Sequence, residues 1–258
     1  IAPGYRGDVV LLDDLKDFHV NCVFVEGALV AEEGKYLPEI KKCDISSVKG
    51  SVIVKDFFKE KFKMNLKSNK VNVIKILPGG VVTAKDTAEI ELDANGEFVR
   101  NPEVDLVKVA VVERHQGTGN VACGFLKGYG IKEGAVALSV AHDSHNIIVV
   151  GVNDEEMEFA VNSLVEQEGG IVLVKEGKVI ESMPMPIAGL MSDQSGEWVD
   201  QKLTDIHEKA YEELGICGDV EPVMTLCFMS LAVIPEIKLT DMGLFDVTTF
   251  SFIPVEVE

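Results

Sequence analysis

Basic residues are scarce in this sequence of 258 residues, which contains 24 lysines and arginines against 43 aspartates and glutamates. The formal net charge is therefore −19 at pH 7. Proteins that bind nucleic acids or anionic membrane surfaces use clustered lysine and arginine to neutralise phosphate groups. We therefore expect neither a nucleic acid nor a membrane as a partner.

Long apolar runs are also lacking. The longest one, residues 223–234, is interrupted by Thr225 and Ser230 and is shorter than the roughly 18 to 20 residues that span a bilayer. No signal-peptide pattern is present at the N-terminus, so a cytoplasmic protein is expected. The chain starts with Ile1 instead of methionine, which suggests a piece of a longer protein.

Cysteines are few and widely spaced, and no C-x-x-C pair occurs among the five. An odd number at such spacing favours reduced thiols over a disulfide framework. Most of them are expected to be small core residues. With 47% hydrophobic and 26% charged residues, the composition is that of a folded globular protein.

The patterns predict a chain of three parts. Residues 1–35 contain three short strands, which are too few to bury a core alone and should complete a sheet whose other strands lie elsewhere. Residues 36–70 have a weak pattern and are predicted to be a linker. Residues 71–258 mix strands with two amphipathic helices, near 153–168 and 197–214, so the predicted fold class is α+β, a mixed β-sheet with flanking helices.

A first polar cluster, Glu113-Arg114-His115, directly follows the predicted buried strand at residues 106–112. A loop with Gly117 and Gly119 comes next, ending at Asn120. A Gly-x-Gly pair alone is weak evidence for a phosphate site. Loops that follow strands commonly form binding sites, so these polar residues are predicted to bind a ligand.

A second polar cluster, His-Asp-Ser-His-Asn at residues 142–146, separates two strongly apolar strands. Hairpin turns favour Gly, Asn and Asp and do not need two histidines, so a functional site is predicted here. Metal ligation by His142, Asp143 and His145 is chemically feasible. A Ser-His-Asp hydrolytic triad is disfavoured because the glycines of a nucleophile elbow are missing. Recognition of a polar planar ligand fits best, and a purely structural turn is the alternative.

Several runs resemble a known family. The first thirteen residues resemble the segment by which amidohydrolase-superfamily enzymes leave their metal-bearing (β/α)8 barrel. The remainder resembles the C-terminal region of bacterial adenine deaminases, least clearly over residues 31–70. The runs that show this resemblance are 109–115 with 117–120, 140–151, 186–192 and 239–244.

The resemblance implies a composite β-sandwich for residues 1–35 and an adenine deaminase C-terminal α+β domain for residues 71–258. It also implies that the full-length enzyme hydrolyses adenine to hypoxanthine and ammonia, using water activated by a dinuclear Mn or Fe centre in the barrel. The metal-binding histidines and carboxylates of that barrel have no counterpart among the five histidines of this sequence. No metal, cofactor or catalytic residue is therefore expected in this chain, and the isolated chain should be inactive.

The expected role is closure of a purine pocket, with adenine and the missing barrel as partners. The predicted substrate-binding residues are Glu113, Arg114, His115, Asn120, His142, Asp143, Ser144, His145 and Asn146. The alternative is a non-catalytic module that stabilises an oligomer through the apolar residues 183–191. A homo-oligomer is expected in any case.

Overall fold

The computed structural model describes residues 2–257, which form two compact units that divide between residues 44 and 45. The first unit is an antiparallel sheet whose strands are neighbours in chain order. Its strands are β1 Val9–Leu12, β2 Val20–Val25, β3 Ala28–Glu32 and β4 Lys35–Tyr36. Within residues 2–44 no side chain is buried, and apolar side chains such as Val10, Leu11 and Leu29 are exposed. This unit therefore has strand pairing without a core of its own.

The second unit is built around a large mixed sheet. Along the chain its strands are β5 Lys70–Ile76, β6 Thr83–Glu89, β7 Glu91–Leu92, β8 Phe98–Val99, β9 Leu106–Val112, β10 Val121–Lys127, β11 Ala135–Leu138, β12 Ile147–Gly151, β13 Gly170–Lys175, β14 Lys178–Pro184, β15 Ile237–Thr240, β16 Gly243–Asp246 and β17 Ser251–Phe252. The main sheet has the order β14-β13-β11-β12-β9-β10-β5-β6 among the described residues. The β10–β5 pair is parallel and the other neighbours are antiparallel. The predicted α+β class with a mixed sheet is confirmed.

Both faces of this sheet are covered. The α-helices are α1 Asp154–Glu166, α2 Gly196–Glu212 and α3 Pro222–Cys227. In β9 every side chain is buried: Ala110 and Val112 pack on the face with α1, while Val109 and Val111 pack on the face with α2 and α3. Strand side chains alternate between faces, and covering of both faces explains the continuous apolar run.

The two predicted helices are confirmed as α1 and α2, and local capping explains where they begin. The Asn153 side chain accepts a hydrogen bond from the backbone N–H of Glu156 at 2.8 Å, and Ser195 caps α2 in the same way. Such caps satisfy N–H groups that have no partner inside the helix. Among the described residues, no helix combines the length and the apolar composition required of a membrane span.

The segment predicted as a linker, residues 36–70, contains the division between the two units. The part that follows this division contains the short 3₁₀ helices Ser46–Val48 and Lys59–Phe62. Phe62 is fully buried in the core beneath α1, where Val52, Val54 and Phe57 also pack. Side chains between residues 45 and 62 thus pack on one face of the main sheet, a role that the weak sequence pattern of this segment did not indicate. A connecting role in a longer protein stays a prediction.

Residues 254–257 are hydrogen-bonded to the segment around β5. The backbone N–H of Asn72 donates to Val255 O at 2.7 Å, and that of Val257 donates to Lys70 O at 2.9 Å. The Glu256 carboxylate accepts from the backbone N–H of Ser68 at 2.7 Å. These bonds connect two parts of the chain that lie almost the whole length of the unit apart in sequence.

All cysteines are free thiols, as predicted. Only Cys227 among them is buried, so the expectation that most are core residues is wrong. Their side chains are small and only weakly polar, so partly exposed positions tolerate them as well as the core does.

Candidate functional site

The two predicted polar clusters meet at one end of the main sheet. Because β9 and β12 are antiparallel, with Val112 paired to Ile147, the segment that follows β9 lies beside the loop that precedes β12. Val112 is also paired with Val121 of β10. A direct bond joins the clusters, because a ring nitrogen of His115, Nε2, lies 2.7 Å from Ser144 O. The structure thus brings the two sequence segments together.

Glu113 is buried and its hydrogen bonds stay within its own loop. Its carboxylate accepts from the backbone N–H groups of His115, Gln116 and Thr118 and from the Thr118 hydroxyl. Burial raises the pKa of this carboxyl, but the bonds from Thr118, Gln116 and His115 outweigh the effect and lower it to about 2. Glu113 therefore shapes the loop with the glycines, and both of its oxygens are already occupied.

Arg114 is buried, with 1% of its surface exposed. Its Nε donates to His145 O at 2.5 Å and its Nη2 donates to Ala188 O at 3.2 Å, while Nη1 has no partner. Burial lowers the pKa of the guanidinium. Arg114 thus connects the 142–146 turn to the loop at residues 186–191.

The histidines of the turn lie close to each other and to an aromatic ring. The ring centroids of His142 and His145 are 5.7 Å apart, and that of His142 is 4.8 Å from Phe228. The Nδ1 atom of His145 is buried without a hydrogen-bond partner. Burial, followed by the neighbouring His142 and Arg114, lowers the pKa of His145 and so favours its neutral imidazole.

Asn146 and Asn120 point to a residue that sequence reasoning missed. The side-chain amide of Asn146 donates to Asp241 Oδ1 at 3.2 Å, and that of Asn120 donates to Asp241 Oδ2 at 3.4 Å. Asn146 Oδ1 also accepts from the backbone N–H of Arg114 at 3.4 Å. Asp241 lies in the turn between β15 and β16, inside the run 239–244 that contributes to the family resemblance.

Asp143 and Ser144 are the exposed members of the turn. The Ser144 hydroxyl accepts from the backbone N–H of Asn146 at 3.4 Å, which is a bond internal to the turn. Across residues 2–257, no group of three or more His, Cys, Asp or Glu side chains is arranged to hold a metal ion. The groups of the site that are partly or fully exposed include the imidazoles, the Asp143 carboxylate and the Ser144 hydroxyl.

Known proteins with similar sequences match nearly the whole chain. The family model for the adenine deaminase C-terminal domain matches residues 80–251. The chain is 64% identical over 256 residues to adenine deaminase 2 of Desulfotalea psychrophila, and this match covers 99% of the chain and 44% of that relative. It is 46% identical over 258 residues to adenine deaminase of Ligilactobacillus salivarius, covering 100% of the chain and 45% of that relative. The chain thus spans less than half the length of these curated relatives.

Proposed function

Because this chain belongs to the family of adenine deaminase C-terminal domains, we propose that it is the C-terminal part of an adenine deaminase. The full-length enzyme converts adenine and water to hypoxanthine and ammonia in the cytoplasm. In it, this part closes the purine pocket but does not supply the metal centre. The chain alone is inactive.

The observation that supports pocket closure is the meeting of both polar clusters at one sheet end, with His145 Nδ1 buried and unpartnered there. A buried polar atom without a partner costs about 1 to 3 kcal/mol, so a ligand that forms a hydrogen bond with His145 Nδ1 would recover this cost. Adenine has ring nitrogens that accept hydrogen bonds and N–H groups that donate them. The imidazoles and the Asp143 carboxylate are complementary to both.

The groups proposed to face the purine are those that the structure leaves open. This set comprises His115, His142, Asp143, Ser144 and His145. They are partly or fully exposed, and their side chains form no hydrogen bond to another side chain among the described residues. The other predicted residues, Glu113, Arg114, Asn120 and Asn146, form bonds within the protein. We assign them the task of holding the turn in place.

The dinuclear Mn or Fe centre has no suitable ligand set in residues 2–257. The residues that would hold this centre therefore belong to the barrel of the longer protein. This chain's contribution is to orient the base by hydrogen bonds and to exclude water from around it.

The test replaces His145 with glutamine in the full-length enzyme and measures kcat/KM for adenine together with metal content. We expect kcat/KM to fall by about tenfold or more, since a lost hydrogen bond in a closed site is worth about 1 to 3 kcal/mol. His207→Gln is the matched control, because His207 lies on α2 and contacts Glu221. Unchanged turnover of His145→Gln with normal metal content would leave the turn a scaffold.

The structure gives little support to the alternative, a non-catalytic module that forms a homo-oligomer through residues 183–191. Met183 is buried in the core, and only Met191 among the methionines of this loop is exposed. Sedimentation of the chain with and without adenine separates the two roles. A stable oligomer whose NMR chemical shifts do not change when adenine is added would favour the non-catalytic interaction module.

A further inference from the structure

We propose that Arg114 is the positioning residue that holds His145 in place, and that Arg114 requires the glycine at position 189 to do so. The inference deepens the proposed function, on which its consequence for turnover rests. Its test concerns His145 itself and needs no substrate.

The guanidinium of Arg114 bridges two loops that adjoin different strands, the turn before β12 and the loop after β14. Nε donates to the backbone oxygen of His145 and Nη2 to that of Ala188, at 2.5 and 3.2 Å. A planar guanidinium presents its donors in a fixed geometry, so it sets the distance between the two carbonyls. His145 needs such support because its φ is 52°, in the left-handed region that non-glycine residues rarely adopt.

The loop at residues 186–191 is shaped to receive the guanidinium. Gly189 has φ +71°, and a Cβ atom placed there would lie 2.7 Å from Arg114 Nη1 and 3.0 Å from Cζ. Gly189 O in turn accepts from the Ser139 hydroxyl at 2.6 Å, and the N–H of Ala188 donates to Val48 O at 2.9 Å. The loop is thus fixed on its far side, and a larger residue at 189 must displace Arg114.

The charge of Arg114 acts on His145 as well. Glu113, its neighbour, is engaged with its own loop, and among residues 2–257 no carboxylate lies within ion-pair distance of the guanidinium. The charged or titratable groups that act on His145 are Arg114, His115, His142 and Asp143. Residues 186–191 contain no ionisable side chain. A buried positive charge therefore disfavours protonation of the imidazole.

The experiment measures the imidazole signals of the 258-residue chain by NMR across pH, together with hydrogen exchange of the His145 amide. In Arg114→Met, we expect the titration midpoint of His145 to rise, because the positive charge of Arg114 that disfavours protonation is removed. In Arg114→Lys, the charge remains but the two-acceptor geometry is lost. The midpoint should then stay near that of the wild type, while the His145 N–H, bonded to Ala141 O, exchanges about tenfold faster.

Arg100→Met is the matched control. Arg100 also donates to one backbone carbonyl, that of Ile131, and has an unpartnered buried Nε, but it is not among the groups that act on His145. Neither the midpoint nor the exchange rate of His145 should change in this variant.

Gly189→Ala completes a cycle with Arg114→Lys. If the glycine serves Arg114, Gly189→Ala alone should accelerate exchange of the His145 amide, and the double variant should be no faster than the faster single one. The proposal would be overturned if the exchange rate of the His145 amide in the double variant rose by the product of the two single effects. An unchanged titration midpoint of His145 in folded Arg114→Met would overturn it too. Should Arg114→Met fail to fold, the cycle alone decides. If this part of the enzyme does not close the purine pocket, the NMR and exchange results expected here are unchanged. The two proposals can therefore be disproved independently.

Discussion

At the scale of single residues, the candidate site separates side chains whose hydrogen bonds are used inside the protein from those that remain open. Glu113 and Asn146 are buried and fully engaged, whereas Asp143 and Ser144 are exposed. A buried carboxylate that accepts several N–H groups stabilises its loop only while it is ionised. Its contribution to stability must therefore depend on pH.

Glu113→Gln should lower the free energy of unfolding at pH 7 by about 3 kcal/mol, from a pKa of about 2 against the ordinary 4.5. Because the folded pKa lies below the unfolded one, the stabilisation is complete above about pH 4.5. It is lost as pH falls toward 2. Urea unfolding of both proteins at pH 7 and pH 3 measures this difference.

The control for this measurement is Glu208→Gln, since Glu208 is an exposed residue of α2. It should change stability little at either pH. A difference between Glu113→Gln and the wild type that is as large at pH 3 as at pH 7 would contradict the assigned role of the ionised carboxylate.

At the scale of elements, loops from different strands are held together by short polar bridges. The turn between β15 and β16 contributes Asp241, which accepts from Asn120 before β10 and from Asn146 before β12. The three loops belong to two sheets, so the bridge fixes one sheet relative to the other at the site. Removing the carboxylate should loosen all three loops together.

Asp241→Ala should lower the free energy of unfolding by about 1 kcal/mol, the usual value of a partly exposed hydrogen-bond pair. It should also speed hydrogen exchange at Asn120 and Asn146. Asp200→Ala, on the exposed surface of α2, is the control and should leave exchange in both loops unchanged. Faster exchange at only one of the two asparagines would show that Asp241 does not bridge them.

How far the sequence predicts these elements depends on the range of the interactions that form them. The bounds of β9 follow from its continuous apolar run, and α1 follows from its cap and apolar stripe. The sequence does not predict β10, because Gly124 and its small neighbours weaken the pattern. In the fold, a Cβ atom placed on Gly124 would lie 3.5 Å from Leu239 Cδ1. The polar clusters were visible from their position at strand ends. Asp241 was not, because its partners lie 121 and 95 residues away.

At the scale of the whole molecule, the two units differ in how they are stabilised. The second unit has cores on both faces of its main sheet, whereas within residues 2–44 no side chain is buried. Hydrophobic burial is the dominant favourable term in folding, and a small sheet without it is marginal at best. The second unit should therefore fold without the first.

Deletion of residues 1–44 should leave the melting temperature of the remaining chain within a few degrees of that of the whole chain. The amide NMR spectrum of residues 45–258 should also be preserved, whereas a peptide of residues 1–44 should show the spectrum of an unfolded chain. Calorimetry and NMR on the three proteins make the comparison. A cooperative transition in the short peptide would contradict the prediction.

The hydrogen bonds between residues 254–257 and the segment around β5 can form only late in the synthesis of the chain. Ser68 and its partner Glu256 are 188 residues apart, and translation proceeds at about 5 to 20 residues per second. The ribosome therefore needs on the order of ten to forty seconds to deliver the partner of a segment that has already been made. During that interval the backbone N–H of Asn72 lacks its native acceptor, Val255 O, and unpaired strand edges of this kind make an incomplete chain prone to aggregation.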